Sequence, residues 1–166
     1  EFSRAIALST AAITSQKKEQ IKHAIRAFAQ LVFTNPWDTS AYFETAQLRL
    51  GAGNQVSKAI VDCNRAIGLN PQLQRVYLLR GFLRARDQVE EQRDYQAAIV
   101  DFTQAIKLSE ARGAASFDSE RASAHYGRAL ALFRQSKGDD RAAKARAVTD
   151  LTRAIELSPK SAKRAK

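Results

Sequence analysis

Methionine is absent from this 166-residue chain, cysteine occurs once, proline three times and glycine seven times. So little Pro and Gly gives no sign of a disordered chain. The single Cys63 excludes an internal disulfide and points to a reducing, cytoplasmic setting. No stretch approaches the roughly 18 apolar residues of a membrane span, and residues 1–15 lack the basic-then-apolar order of a signal peptide, so membrane insertion is not expected. The missing methionine makes the chain, in expectation, one module of a larger polypeptide. Aromatic residues reach only 8%, yet the apolar total of 45% is enough for a buried core. Negative charge is also short: 17 Asp and Glu against 27 Lys and Arg leave a net charge of +10, with a C-terminal excess from Asp139 to Lys166. That balance favours acidic partners without choosing between a peptide, a nucleic acid and an anionic surface.

What the chain has instead is internal repetition. AIVDCNRAIGLNP (59–71), AIVDFTQAIKLSE (98–110) and AVTDLTRAIELSP (147–159) share the pattern Ala-(Ile/Val)-x-Asp-x-x-x-Ala-Ile-x-Leu. Small or apolar residues fall at 59, 60, 63, 66, 67, at 98, 99, 102, 105, 106 and at 147, 148, 151, 154, 155. This is the stripe of an amphipathic helix, and its alanines let a neighbouring helix come close. A fourth, weaker copy is AIRAFAQLVFTNP (24–36). Pro36, Pro71 and Pro159 close three copies, so each copy is expected to end at a stop.

Upstream of each full copy stands a second helical pattern: SAYFETAQLRLG (40–51), RVYLLRGFLRARD (75–87) and SAHYGRALALFRQ (123–135). A ring residue, Tyr42, Tyr77 or His125, precedes a small one, Ala46, Gly81 or Ala129, by one helical turn. The unit is therefore helix, turn, helix, stop. Surplus residues belong at turns, in 87–93, 136–141 and 111–120.

These residues resemble the tetratricopeptide repeat family, whose unit of about 34 residues pairs an aromatic-x-x-Leu-Gly-x-x-Tyr helix with an Ala-x-x-x-Phe helix and a terminal Pro. The first helices depart from that pattern: Thr45, Arg80 and Arg128 stand for the Leu, and Arg49, Arg84 and Leu132 for the second ring. The resemblance implies an all-α, right-handed superhelical solenoid of about four helix-turn-helix repeats. Their expected extents are about 3–36, 37–71, 72–110 and 120–159, with SRAIALSTAAITS (3–15) as the opening helix and 160–166 as a basic tail.

The family's first helices line a concave groove that takes partner peptides. Carried onto this chain, the groove residues are Phe43, Gln47, Arg75, Leu78, Phe82, Arg86, Tyr126, Leu130, Phe133 and Arg134. They imply a protein-interaction scaffold whose partner brings apolar anchors and acidic flanks. The family's clamp for a chaperone-tail carboxylate is not expected, because Phe43, Gln47 and Leu79 stand where Lys, Asn and Arg would be needed. Self-association through the ends of the solenoid is a further expectation.

Other chemistry finds less support. Asp62, Asp101 and Asp150 repeat in register, but on a helical wheel they fall outside the packing stripe, and Arg65 and Arg153 follow Asp62 and Asp150 by three residues. Exposed intrahelical ion pairs are the expectation for them. His23 and His125 are isolated, Cys63 takes the place of Phe102 and Leu151 as a buried apolar residue, and Gly51-Ala-Gly53 fits a turn better than a phosphate cradle. No nucleophile with a base and orienting group can be assembled, so neither enzymatic activity nor a metal or cofactor is implied. Binding of nucleic acid or another polyanion is the alternative, resting on the cluster Arg75, Arg80, Arg84 and Arg86 and the basic tail.

Overall fold

The computed structural model of the chain describes residues 18–52, 55–86, 94–112, 118–136 and 140–158. Among these residues the regular structure is all-helical: α1 (Lys18–Thr34), α2 (Thr39–Gly51), α3 (Val56–Leu69), α4 (Gln74–Arg86), α5 (Tyr95–Arg112), α6 (Asp118–Gln135) and α7 (Arg141–Leu157). The expected opening helix at 3–15 and the tail at 160–166 lie outside the described residues. The chain divides into two compact units, Glu1–Gln72 and Leu73–Lys166. In unit 1, α1 packs on α2 and α2 on α3; in unit 2, α4 packs on α5, α5 on α6 and α6 on α7. Unit 2 also brings α4 against α6, so these two helices share α5 as a common neighbour.

Short polar devices set the helix ends. Asp38 accepts hydrogen bonds from the Ser40 and Ala41 amides, and Asp140 from those of Ala142 and Ala143, so each caps the helix that follows. Asp94 does the same for α5 through the Ala97 amide at 2.8 Å. At the two described Asn-Pro stops the asparagine side chain turns back on the chain: Asn35 Oδ1 accepts from Trp37 N and Asn70 Oδ1 from Gln72 N. Helices α1 and α3 accordingly end at Thr34 and Leu69. The copy closing at Glu110 behaves differently from expectation: no proline stands there, and α5 runs on to Arg112. Likewise α6 starts at Asp118, inside the stretch expected to be a turn, with Asp118 and Glu120 in its first turn where the helix dipole favours negative charge.

Most of the repeated alanines are buried, as the stripe predicts: Ala24, Ala59, Ala66, Ala98, Ala105 and Ala147 lie in the core, while Ala154 of the last copy is half-buried. Ile21, Ala24 and Phe28 of α1 pack with Ala41 and Leu48 of α2. In unit 2 the ring of Phe102 on α5 sits against Gly81 of α4 and Gly127 of α6, where an added Cβ would come within 2.8 Å and 2.5 Å of it. Here glycine is required by the close approach rather than by backbone conformation. Phe82 adds an edge-on contact, its centroid 5.0 Å from that of Phe102.

The last copy corrects the expectation of a buried stripe. Val148, Leu151 and Ile155 of α7 are 61%, 37% and 62% exposed, whereas their counterparts Phe102 and Ile106 on α5 are buried. Among the described residues, α6 lies over α5 but no helix lies over that face of α7.

Candidate functional site

The three repeated aspartates do not form the exposed intrahelical pairs their sequence context suggests. Asp62, Asp101 and Asp150 are all buried, and each reaches across its hairpin to cations on the preceding helix. Asp62 of α3 pairs with Arg49 of α2. Asp101 of α5 accepts from Arg80 Nε at 3.0 Å, Arg80 Nη2 at 2.7 Å and Arg84 Nη1 at 2.9 Å, both arginines belonging to α4. Asp150 of α7 accepts from Arg128 Nε and Nη2, both at 2.7 Å, and lies 2.8 Å from His125 Nδ1 on α6. Of the two suggested partners, Arg153 pairs instead with Glu156 at 2.8 Å, and Arg65 makes no ion pair among the described residues.

The departures from the family pattern explain this geometry. Arg49 and Arg84, standing where a second ring is usual, each also donate to a carbonyl one turn before the aspartate, that of Lys58 at 3.2 Å and that of Ala97 at 3.4 Å. Arg80 and Arg128 replace the usual Leu and grip both oxygens of the carboxylate. Thr45 holds that position in unit 1 but turns its hydroxyl to the Ala41 carbonyl at 2.7 Å, leaving Asp62 with one arginine. Burial drives the Asp62 carboxyl up to about 6 despite that arginine. Burial pushes Asp150 in the same direction, but the hydrogen bonds from Arg128 and His125 outweigh it and hold the carboxyl below its ordinary value.

These ties have a consequence for the basic surface. Arg80 and Arg84 are committed to Asp101, and Arg75 donates to Glu120 at 2.9 Å. The side chain of Arg86 lies outside the described residues. Two of the four arginines of the α4 cluster are therefore tied to a buried aspartate, while Arg75 stays at the surface.

The apolar candidates fall differently. Phe82, Leu130 and Arg134 come together around a cavity of about 230 Å³ bounded by α4, α5 and α6, with Ala85, Tyr95 and Phe102 among the other walls. Tyr126 and Phe133 are 49% and 53% exposed and continue the α6 stripe on either side of Leu130, at helical spacing. Leu78 is partly buried and packs into two core clusters, with Ala98 and Phe102 and with Ile106 and Ala124, so it belongs more to the core than to the groove. Phe43 and Gln47 sit half-buried on α2 in unit 1. Among the described residues no group of three or more His, Cys, Asp or Glu is placed to hold a metal ion, and no described helix is long and apolar enough to cross a membrane. Cys63 is buried.

No family model matches the chain, and no curated protein matches it. Solved structures do. A crystal structure of MamA protein superposes over 96% of this chain and 83% of that chain, with a TM-score of 0.63 at 17% sequence identity. A second MamA structure superposes over 88% of this chain and 93% of that one, with a TM-score of 0.49 at 17% identity. At this identity the first likeness shows a shared fold, an all-helical succession of hairpins.

Proposed function

We propose that the chain is a protein-interaction scaffold of the tetratricopeptide kind, and that unit 2 seats a partner segment between α4 and α6. The observation that carries this reading is the apolar cavity walled by Phe82, Tyr95, Leu130 and Arg134, with the exposed rings of Tyr126 and Phe133 about one helical turn before and after Leu130 on α6. Its mechanism is passive. The partner's apolar anchor fills the cavity, its flanking rings or aliphatics cover Tyr126 and Phe133, and an adjacent carboxylate meets Arg134. Preformed helices keep the ordering cost of binding low. Aromatic side chains at a partly dry centre are the expected main contributors, each anchor of this kind being worth about 2 kcal/mol or more. Phe43 and Gln47 of unit 1 and Arg75 and Arg86 of α4 belong to the wider surface that the resemblance implies.

The test is capture from lysate by the chain at two salt concentrations, with and without nuclease, against the double variant Tyr126→Ala/Phe133→Ala. Both side chains are half-exposed, so helicity should be unchanged. A discrete protein that survives nuclease and moderate salt, and is lost from the variant, is expected. Retention that vanishes with nuclease or salt would replace this reading by polyanion binding.

A further inference from the structure

A second cavity, of about 410 Å³, lies in unit 1 between the α1–α2 turn and the end of α3. Its walls include Pro36, Trp37, Tyr42, Arg65, Gly68 and Leu69. Besides Asn64, which has a partner of its own, three side chains there carry donors: the Trp37 indole N–H, the Tyr42 hydroxyl and the Arg65 guanidinium. None makes a side-chain hydrogen bond or ion pair among the described residues. Trp37 is 78% exposed although it is a large apolar ring. The neighbouring acid, Asp38, is already spent on the amides of Ser40 and Ala41.

The internal repeats show that packing does not demand this arrangement. Gly68 corresponds to Lys107 and Glu156 in the other copies, and the residue after the closing proline is Trp37 in one case and Gln72 in the next. A Cβ at Gly68 would meet nothing within 4 Å, so the missing side chain opens space that no neighbour occupies. An aromatic-walled hollow whose Arg65, Trp37 and Tyr42 donors have no side-chain partner among the described residues fits an apolar residue beside a carboxylate.

We infer that this hollow is a recognition site in its own right, and that its occupant is a peptide segment in which an aliphatic or proline residue adjoins an Asp or Glu. The aliphatic group lies on Trp37, and the carboxylate accepts from Arg65 and Tyr42. This reading does not depend on the groove of unit 2.

Trp37 is the one tryptophan of the chain, so its emission reports on the site directly. The test titrates the chain with acetyl-Pro-Leu-Asp-Leu-amide and with the same peptide carrying Asn for Asp. The expected result is a saturable change in emission, with the Asp peptide binding roughly tenfold more tightly than the Asn peptide. Arg65→Gln should erase that ratio. Gly68→Gln should block both peptides with helicity retained, and Tyr126→Ala/Phe133→Ala should leave both unaffected. Equal affinity for the two peptides, no saturable change up to roughly 10 mM, or unchanged binding by Gly68→Gln would overturn the inference. So would inorganic phosphate producing the same saturable change, which would mark a plain anion site.

Discussion

Asp62 in unit 1 and Asp150 in unit 2 occupy the same place in the repeat, are both buried, and both face an arginine on the preceding helix. Yet the carboxyl of Asp62 is pushed up to about 6, whereas that of Asp150 is held below its ordinary value. The difference is the number of donors. Thr45 satisfies itself on its own helix, so Asp62 has Arg49 alone, while Arg128 and His125 together present three hydrogen bonds to Asp150. A buried carboxylate stabilises a hairpin only when its partners replace the water it has lost, and one arginine does not do that.

The largest expected effect follows from this. Asp150→Asn should cost about 3 kcal/mol in urea unfolding at pH 7, because Arg128 is left partly buried without its counter-charge. Asp62→Asn should change stability by less than about 1 kcal/mol, since its carboxyl is already poorly compensated. Equal losses at the two sites would break the comparison.

The effect of pH should also differ in sign between the units. With a folded value near 6 against an ordinary 3.8, Asp62 makes the folded state bind more protons within that window, so acidification from pH 7 toward 5 should raise the unfolding midpoint. Asp150, held below 3.8, contributes stability at every pH above that value and loses it as pH falls through its lower folded one. Urea midpoints at pH 7, 5 and 3 should therefore rise and then fall, and Asp62→Asn should remove the rise.

The two helix glycines should differ in sign. Gly127→Ala drives a Cβ into the Phe102 ring and should cost about 1–3 kcal/mol. Gly68→Ala meets open space on a helix and should gain up to about 1 kcal/mol. Thermal midpoints of the two variants moving in the same direction would show that the tight packing around Phe102 has no counterpart in energy.

The hairpins were legible because small residues at helical spacing and Asn-Pro stops are local signals, and they recur. The aspartates were not, because an Asp on a helix is naturally judged against its own helix, where Arg65 and Arg153 stand three residues on. Their partners lie on another helix, at 49, 80, 84, 125 and 128. The signal was present in those very residues: where the first helices lose the family's Leu or second ring to arginine, the second helices carry an Asp in register. The early start of α6 was hidden by reading the stretch before 120 as a turn, although Asp118-Ser-Glu120 is a favourable first turn. Of the groove residues, Phe82, Leu130 and Arg134 do line one cavity. The pairing of Arg75 with Glu120 could not be read from either residue alone, because the two lie on helices separated by the whole of α5.

The most direct test of the scaffold reading is photo-crosslinking from a benzophenone side chain placed at Phe133, adjacent in sequence to Arg134 of the cavity wall, or at Val148, a similarly exposed apolar position on α7. The account predicts a discrete partner adduct from position 133 and none from position 148. Adducts of equal yield from both, or from 148 alone, would contradict it.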